Sequence, residues 1–265
     1  MFADDVKVYK IIKSIHDVFL LQMCLNNIFN WSKNWQLFIS FPKCACLILG
    51  KNKFVLDNYL LGDFKISFVT DISDLGVYID SDLKFGIHCA KIFKKAWSRA
   101  CVILKCFYSR DVSVYSKAFS VYVRPILEYN CVVWSPFFKK DIYLLESVQR
   151  SFTHRACKLC NVPGYMSYER RLELFNLQPL FVRRQIIDNV EVFKTVKGFA
   201  HSGLMSDLPL ERNNLRGHRY KLRHLFLKHR ASRQFLFNRV VNKWNSLPDD
   251  SFNTNLTECF KRRFT

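Results

Sequence analysis

The sequence predicts an α+β fold, in which a small antiparallel sheet is followed by a mostly helical remainder. Three observations lead there. Short β-prone runs cluster in the first third of the chain, and from His88 onward the apolar residues recur at steps of three and four. A composition of 49% hydrophobic and 24% charged residues over 265 positions is that of a folded chain, enough for one large domain or two ordinary ones.

The chain opens MFADDVKVY, with Asp4 and Asp5 beside Val6, Val8 and Tyr9. Adjacent carboxylates next to a β-branched run suit a tight turn between strands, and hard oxygen ligands suit Mg²⁺ or Mn²⁺. Residues 16–35 read as an amphipathic helix with Leu21, Cys24 or Leu25, Ile28, Trp31 and Trp35 at steps of three and four. QLFIS and ACLILG follow as β-prone runs around FPKC, with Pro42 at the bend, and VLDNYLLGDFKISFV and DLGVYID add further strands. The sheet is expected to carry FADD, SFPKC and DLGVYID.

Helical periodicity then takes over. Ile92, Ala96, Ala100, Ile103 or Leu104, and Phe107 make one face of a helix, and Lys91, Lys94, Lys95 and Arg99 occupy much of the other. Further helices fit SVYSKAFSVYVRPIL, where Arg124 could pair with Glu128, and DIYLLESVQRSFTHRACKLC. Residues 168–197 are again helical in pattern, with a break at Gln178-Pro179. The domain boundaries are placed at 1–85, 86–160 and 161–265.

The balance of 41 Lys+Arg against 22 Asp+Glu gives a formal charge of +19. Such a charge calls for a polyanionic partner, nucleic acid first and an anionic membrane surface second. No apolar run approaches the ~18 residues of a membrane span. The basic stretches lack the single lipid-facing stripe of a membrane-surface helix. Between Glu211 and Val240 nine Lys or Arg interleave with Phe226, Phe235, Phe237 and three histidines, a pattern that suits backbone contact with stacking.

The ten cysteines, without a secretion signal, read as reduced thiols of an intracellular protein, nuclear or cytoplasmic. Cys157-x-x-Cys160 with His154 one turn earlier raises a zinc reading. The missing second ligand pair weighs against it, in favour of buried thiols.

Taken in order, these segments resemble the reverse transcriptase of non-LTR (LINE-type) retrotransposons, from inside the palm through the thumb and beyond. Phe2-Ala3-Asp4-Asp5 matches the Tyr/Phe-Ala-Asp-Asp box, SFPKC matches the Asn-x-x-Lys-Cys box, and DLGVYIDSDLKFGIHCAKIFKKA matches the primer grip and the start of the thumb. YVRPILEYNCVVWSP, LLESVQRSFTHRACKL, YERRLELFNLQPLFVRR and FNRVVNKWNSLP continue the match over nearly the whole chain. Ser40 stands where the family usually has Asn.

The resemblance implies a partial palm over residues 1–85, a thumb-like region over 86–160 and a basic helical region over 161–265. It implies Asp4 as a metal ligand with Asp5 as a second or supporting carboxylate, and Lys43 near the phosphates of an incoming nucleotide. Leu75 and Gly76 fall in the primer grip, and Lys91, Lys94, Lys95 and Arg99 fall where the thumb tracks a template–primer duplex of RNA and DNA.

The family's first catalytic aspartate and its fingers lie upstream of FADD and have no counterpart here. The expectation is therefore a truncated polymerase whose intact form uses two divalent ions. This chain, inactive alone and holding Mg²⁺ only loosely, would be left with nucleic-acid binding or be an unstable remnant.

Overall fold

In a computed structural model the described residues are 5–50, 58–199, 208–210, 218–225, 234–254 and 256–264. They divide into two compact units, residues 1–84 and residues 85–265. Both α and β elements are present, as an α+β fold requires.

The first unit is built on helix α1 (Ile15–Asn34) and five short strands. A capping box starts α1: the Ser14 hydroxyl accepts from the Asp17 N–H, and the Asp17 carboxylate accepts from the Ser14 N–H at 3.0 Å. Val18, Leu21, Leu25 and Phe29 then pack on Tyr59, Leu61 and Ile66 of the sheet. Strands β1 (Ala45–Leu47), β2 (Tyr59–Leu61) and β3 (Phe64–Val69) lie in the order β1-β3-β2. Strands β2 and β3 form a hairpin whose loop is Gly62-Asp63. Gly62 has φ +63°, which suits a turn with glycine in its first central place.

On the far side of β2, the Gln22 side chain both donates to the Leu60 carbonyl (2.8 Å) and accepts from the Leu60 N–H (2.9 Å). The helix thus satisfies backbone groups that an uncovered strand edge would leave open.

The expectation of one small antiparallel sheet needs correction in three respects. Strand β1 runs parallel to β3, so the three-stranded sheet is mixed. Strands β4 (Asp71–Asp74) and β5 (Val77–Asp80) form a separate two-stranded sheet. SFPKC is not a strand: Phe41–Lys43 form a 3₁₀ turn, with Pro42 in its first turn where the missing N–H costs nothing. Phe2, Ala3 and Asp4 lie outside the described residues.

The second unit is helical. Helix α2 (Gly86–Cys106) packs along α6 (Lys139–Leu159), with the small Ala96 and Ala100 buried on α2 and Leu145, Val148, Phe152 and Ala156 buried on α6. Between them run α3 (Val112–Ala118), a π-helical turn (Phe119–Val123), α4 (Arg124–Glu128) and α5 (Cys131–Trp134). The π turn follows from Pro125. That residue cannot donate to a carbonyl one turn back and its ring crowds it, so the helix widens and the Arg124 N–H bonds to Phe119 O.

Helices α7 (Tyr168–Leu174) and α8 (Leu180–Val196) flank the Gln178-Pro179 break, and α8 packs on α5, α6 and α9 (Leu236–Asn245). Buried Trp244 and Phe252, with Phe260 of α10 (Thr257–Lys261), close the C-terminal core around Val192 and Phe193. Helices on both sides of residue 160 share contacts: Glu146 of α6 accepts from the Leu180 N–H at 3.0 Å.

Candidate nucleic-acid interface

Helix α2 contains no acidic residue, and its buried side is set by His88, Cys89, Ala96, Ala100, Ile103 and Leu104. Turned away from that side, Lys91, Lys94, Lys95, Arg99 and Lys105 are all exposed. Lys91, Lys95 and Arg99 follow one another at steps of four, so they stack along one ridge, with Lys94 beside them. From Lys91 to Lys105 the helix rises about 21 Å, roughly the length of several nucleotides of backbone.

Among the described residues, Lys94, Lys95, Arg99 and Lys105 form no ion pair with a carboxylate. Trp97, partly exposed, packs beside Phe93 with ring centroids 5.6 Å apart. Arg155 of α6 leans over the same helix, its Nη1 3.5 Å from Cys101 Sγ. The result is a one-signed stripe with an aromatic ring at its margin.

His88, under the basic side, adds no charge near neutral pH. Burial, and secondarily the Lys91 ammonium, push its pKa down to about 4. Its ring stands edge-on to Trp134, centroids 4.7 Å apart.

In the first unit, Leu75 and Gly76 are the two loop residues joining β4 to β5, with φ +46° and +83°. Positive φ at both places gives the turn whose twist matches the flanking strands. Leucine is an unusual occupant of such a place, and its side chain is exposed. Lys7, two residues after Asp5, pairs with Asp74 at the foot of this turn. Asp5 itself is exposed, as is Lys43 at the end of its 3₁₀ turn. Ser40 caps that turn only through its carbonyl, which accepts from the Lys43 N–H at 3.1 Å.

Asp4 lies outside the described residues. Among the described residues no group of three His, Cys, Asp or Glu side chains converges, and the carboxylate of Asp74 is engaged by Lys7. Without Asp4, the described carboxylates do not by themselves make up a two-metal ligand set. His154 is exposed, Cys157 is buried with its thiol pKa raised by burial, and Cys160 is partly buried. All ten cysteines are free thiols. No described helix is long and apolar enough to cross a membrane.

The basic region between Glu211 and Val240 reads differently once folded. Arg212, Arg216, Lys228, Arg230, Arg233, Phe226 and His229 lie outside the described residues. Of the others, Arg239 is a core residue: its Nε and Nη2 hold both oxygens of buried Asp188 at 2.7 Å, and Nη1 donates to Gln234 O at 3.0 Å. Phe237 is buried, and His218 is buried with Nε2 3.1 Å from Trp244 O and its ring 4.2 Å from that of Phe252. These three are structural rather than parts of a binding face.

Likewise Glu128 pairs with Arg183 of α8 rather than with Arg124. Arg239 stands at the edge of the apolar arc of α9 formed by Leu236, Phe237, Val240, Val241 and Trp244. That phase was the one sequence signal of its inward role.

Sequence reasoning also missed a cavity of about 220 Å³ in the second unit, lined by residues of α8, of α9 and of the segment after α5.

Among known proteins, the chain is 31% identical over 152 residues to a Caenorhabditis elegans protein named "Uncharacterized protein B0403.1", a stretch that takes in 54% of this chain and 76% of that one. No family model matches the chain, and no solved structure matches it.

Proposed function

The chain belongs to the same family as the C. elegans protein B0403.1, and we propose that it is the thumb-bearing portion of a non-LTR reverse transcriptase that binds RNA–DNA duplex along α2. The observation that carries this reading is the acid-free, exposed face of Lys91, Lys94, Lys95, Arg99 and Lys105. Point charges on long stems, unbiased toward any base, suit phosphates and 2′-hydroxyls rather than sequence. The motif order from FADD to FNRVVNKWNSLP supports the same reading.

Within it, Leu75-Gly76 supports a primer end, Lys43 lies toward nucleotide phosphates, and Asp4 with Asp5 is the remnant of the Mg²⁺ or Mn²⁺ site of the intact enzyme. Alone, the chain binds template–primer without extending it.

The test is fluorescence anisotropy of a labelled RNA–DNA hybrid, with the chain as it stands and with Lys94, Lys95 and Arg99 changed to Gln. Binding that falls in the variant while Asp4→Ala leaves it unchanged is the expected result. Equal binding by all three proteins rejects the α2 interface. Primer extension lost in Asp4→Ala would instead make the chain a working polymerase.

A second reading has one observation in its favour. Ile15, Phe19, Met23, Trp31 and Trp35 form an exposed apolar ridge along α1. As an unstable remnant, the chain would bind hydrophobic dyes and melt without cooperativity.

A further inference from the structure

The cavity beside α8 and α9 is walled by side chains whose hydrogen bonding is incomplete. Arg184 of α8 lines it, is only 2% exposed, and has no hydrogen-bond partner at either Nη among the described residues. Asn189 lines it as well. Its Nδ2 donates to the Gln185 carbonyl at 2.7 Å, which fixes the other amide atom as the oxygen, and that buried Oδ1 accepts no hydrogen bond among the described residues. The Asp188–Arg239 pair at the same cavity is closed on itself, both carboxylate oxygens lying 2.7 Å from Arg239 nitrogens.

What Arg184 lacks is acceptors rather than a counter-charge. Burial pulls its pKa down, and the Glu146 carboxylate is foremost among the groups that oppose the fall. Glu146 nevertheless gives its oxygens to the Leu180 N–H and the Tyr168 hydroxyl, so it answers the charge of Arg184 without bonding to its Nη atoms. Donors and acceptors buried without partners are costly, and a ligand that supplies the missing partners relieves that cost. An ionised carboxylate or phosphate would suit the guanidinium but has no hydrogen to give Asn189 Oδ1.

A ligand that serves both side chains carries two adjacent acceptors and a donor. The walls add Phe137 and the half-exposed Phe181, which favour a flat ring. A nucleobase has this combination. Guanine sets two acceptors, O6 and N7, side by side, the pair that a guanidinium fork matches, whereas adenine has one acceptor beside a donor there. A volume of about 220 Å³ has room for one base and not for a stretch of nucleic acid.

We infer that this cavity takes an unstacked guanine, with Arg184 donating to O6 and N7, Asn189 accepting from a base N–H, and Phe181 against the ring. Arg184 meets the base by turning toward the cavity that its side chain already lines. The same chemistry is offered by a free nucleoside and by an unpaired guanine within a strand. The site goes beyond the α2 reading and stands without it, because none of the α2 cations lines the cavity.

The test uses the full chain and neutral nucleosides, so that phosphate contacts play no part: guanosine, adenosine, cytidine and uridine, by equilibrium dialysis. Guanosine is expected to bind about 10-fold tighter than adenosine, the scale of one bidentate base contact. Phe181→Ala, a change at a half-exposed side chain, should weaken guanosine about 10-fold, the scale of one stacking contact, without altering the melting temperature. Arg184→Lys keeps the charge but loses the fork, and should bring guanosine down to the level of adenosine. The α2 variant should bind guanosine as the parent chain does. A second pair of probes, a short oligouridylate with one central guanosine and the same strand without it, separates the two sources.

A guanosine preference that Phe181→Ala weakens identifies the free nucleoside as a ligand. Preference confined to the guanine-bearing strand, and weakened by Phe181→Ala, identifies the base within a strand. No preference for guanine in either form, or one indifferent to Phe181→Ala, overturns the inference whether or not Arg184→Lys folds.

Discussion

Neutralising α2 should change the salt dependence of duplex binding by an amount the structure sets. Each cation that sits on a phosphate displaces counterions and contributes about −0.9 to the slope of log K against log salt. Lys91, Lys94, Lys95, Arg99 and Lys105 are the exposed cations of the helix. If all five engage phosphates, their slope is about −4.5, and binding falls by a factor of about 500 between 50 and 200 mM salt.

Changing Lys94, Lys95 and Arg99 to Gln leaves a slope of about −1.8, or a fall of about 12-fold over the same range. The assay is anisotropy of a labelled RNA–DNA hybrid titrated at several salt concentrations. Thermal melts check the fold, since exposed substitutions of this kind change stability by only about 0.5 kcal/mol. An unchanged slope in the variant, with the protein folded, would refute the assignment of these side chains to phosphates.

Three other outcomes follow from the packing. Gly62→Ala should destabilise the first unit by about 2–4 kcal/mol in urea unfolding, summing a left-handed backbone penalty and overpacking. An added Cβ would lie 2.5 Å from Phe29 Cζ at a residue with φ +63°, and a loss well below 1 kcal/mol would contradict that geometry.

Arg239→Met strands buried Asp188 and should cost about 3–5 kcal/mol, most of which Arg239→Met with Asp188→Leu should restore. Because burial already raises the Asp188 pKa and Arg239 opposes the rise, the single variant's deficit should shrink as the pH is lowered; a deficit independent of pH would count against the pairing.

His88 makes the third. Its folded pKa is depressed, so the unfolded chain binds the extra proton between the ordinary value of 6.5 and about 4. Stability is full above 6.5, is lost as the pH falls through that window and is level below it, a loss of about 3 kcal/mol in all. Urea midpoints for the chain and for His88→Asn across the window should diverge accordingly, and parallel curves would remove His88 from the account.

Local order settled much of this protein. Apolar steps of three and four placed α1, and Gln178-Pro179 separated α7 from α8, because helix periodicity and helix stops are written in neighbouring residues. The run of bases on α2 against Ala96, Ala100 and Ile103 was equally legible, since one helix turn sorts side chains to opposite sides. The Leu75-Gly76 turn, by contrast, was placed by resemblance, and its backbone shape came only with the paired strands.

Tertiary structure decided what sequence spacing leaves open. Strand β1 joined β3 in parallel, a pairing that the residues of neither strand announce by themselves. Arg239, His218 and Phe237 looked like members of a basic, aromatic binding run, yet His218 and Phe237 are buried beside Trp244 and Phe252, and Arg239, partly buried, is tied to buried Asp188. Charge counted along a chain does not say which cations meet water and which meet a carboxylate 51 residues away. That distinction arises only when helices dock, and it leaves Arg184 buried beside a cavity while Lys94 faces solvent.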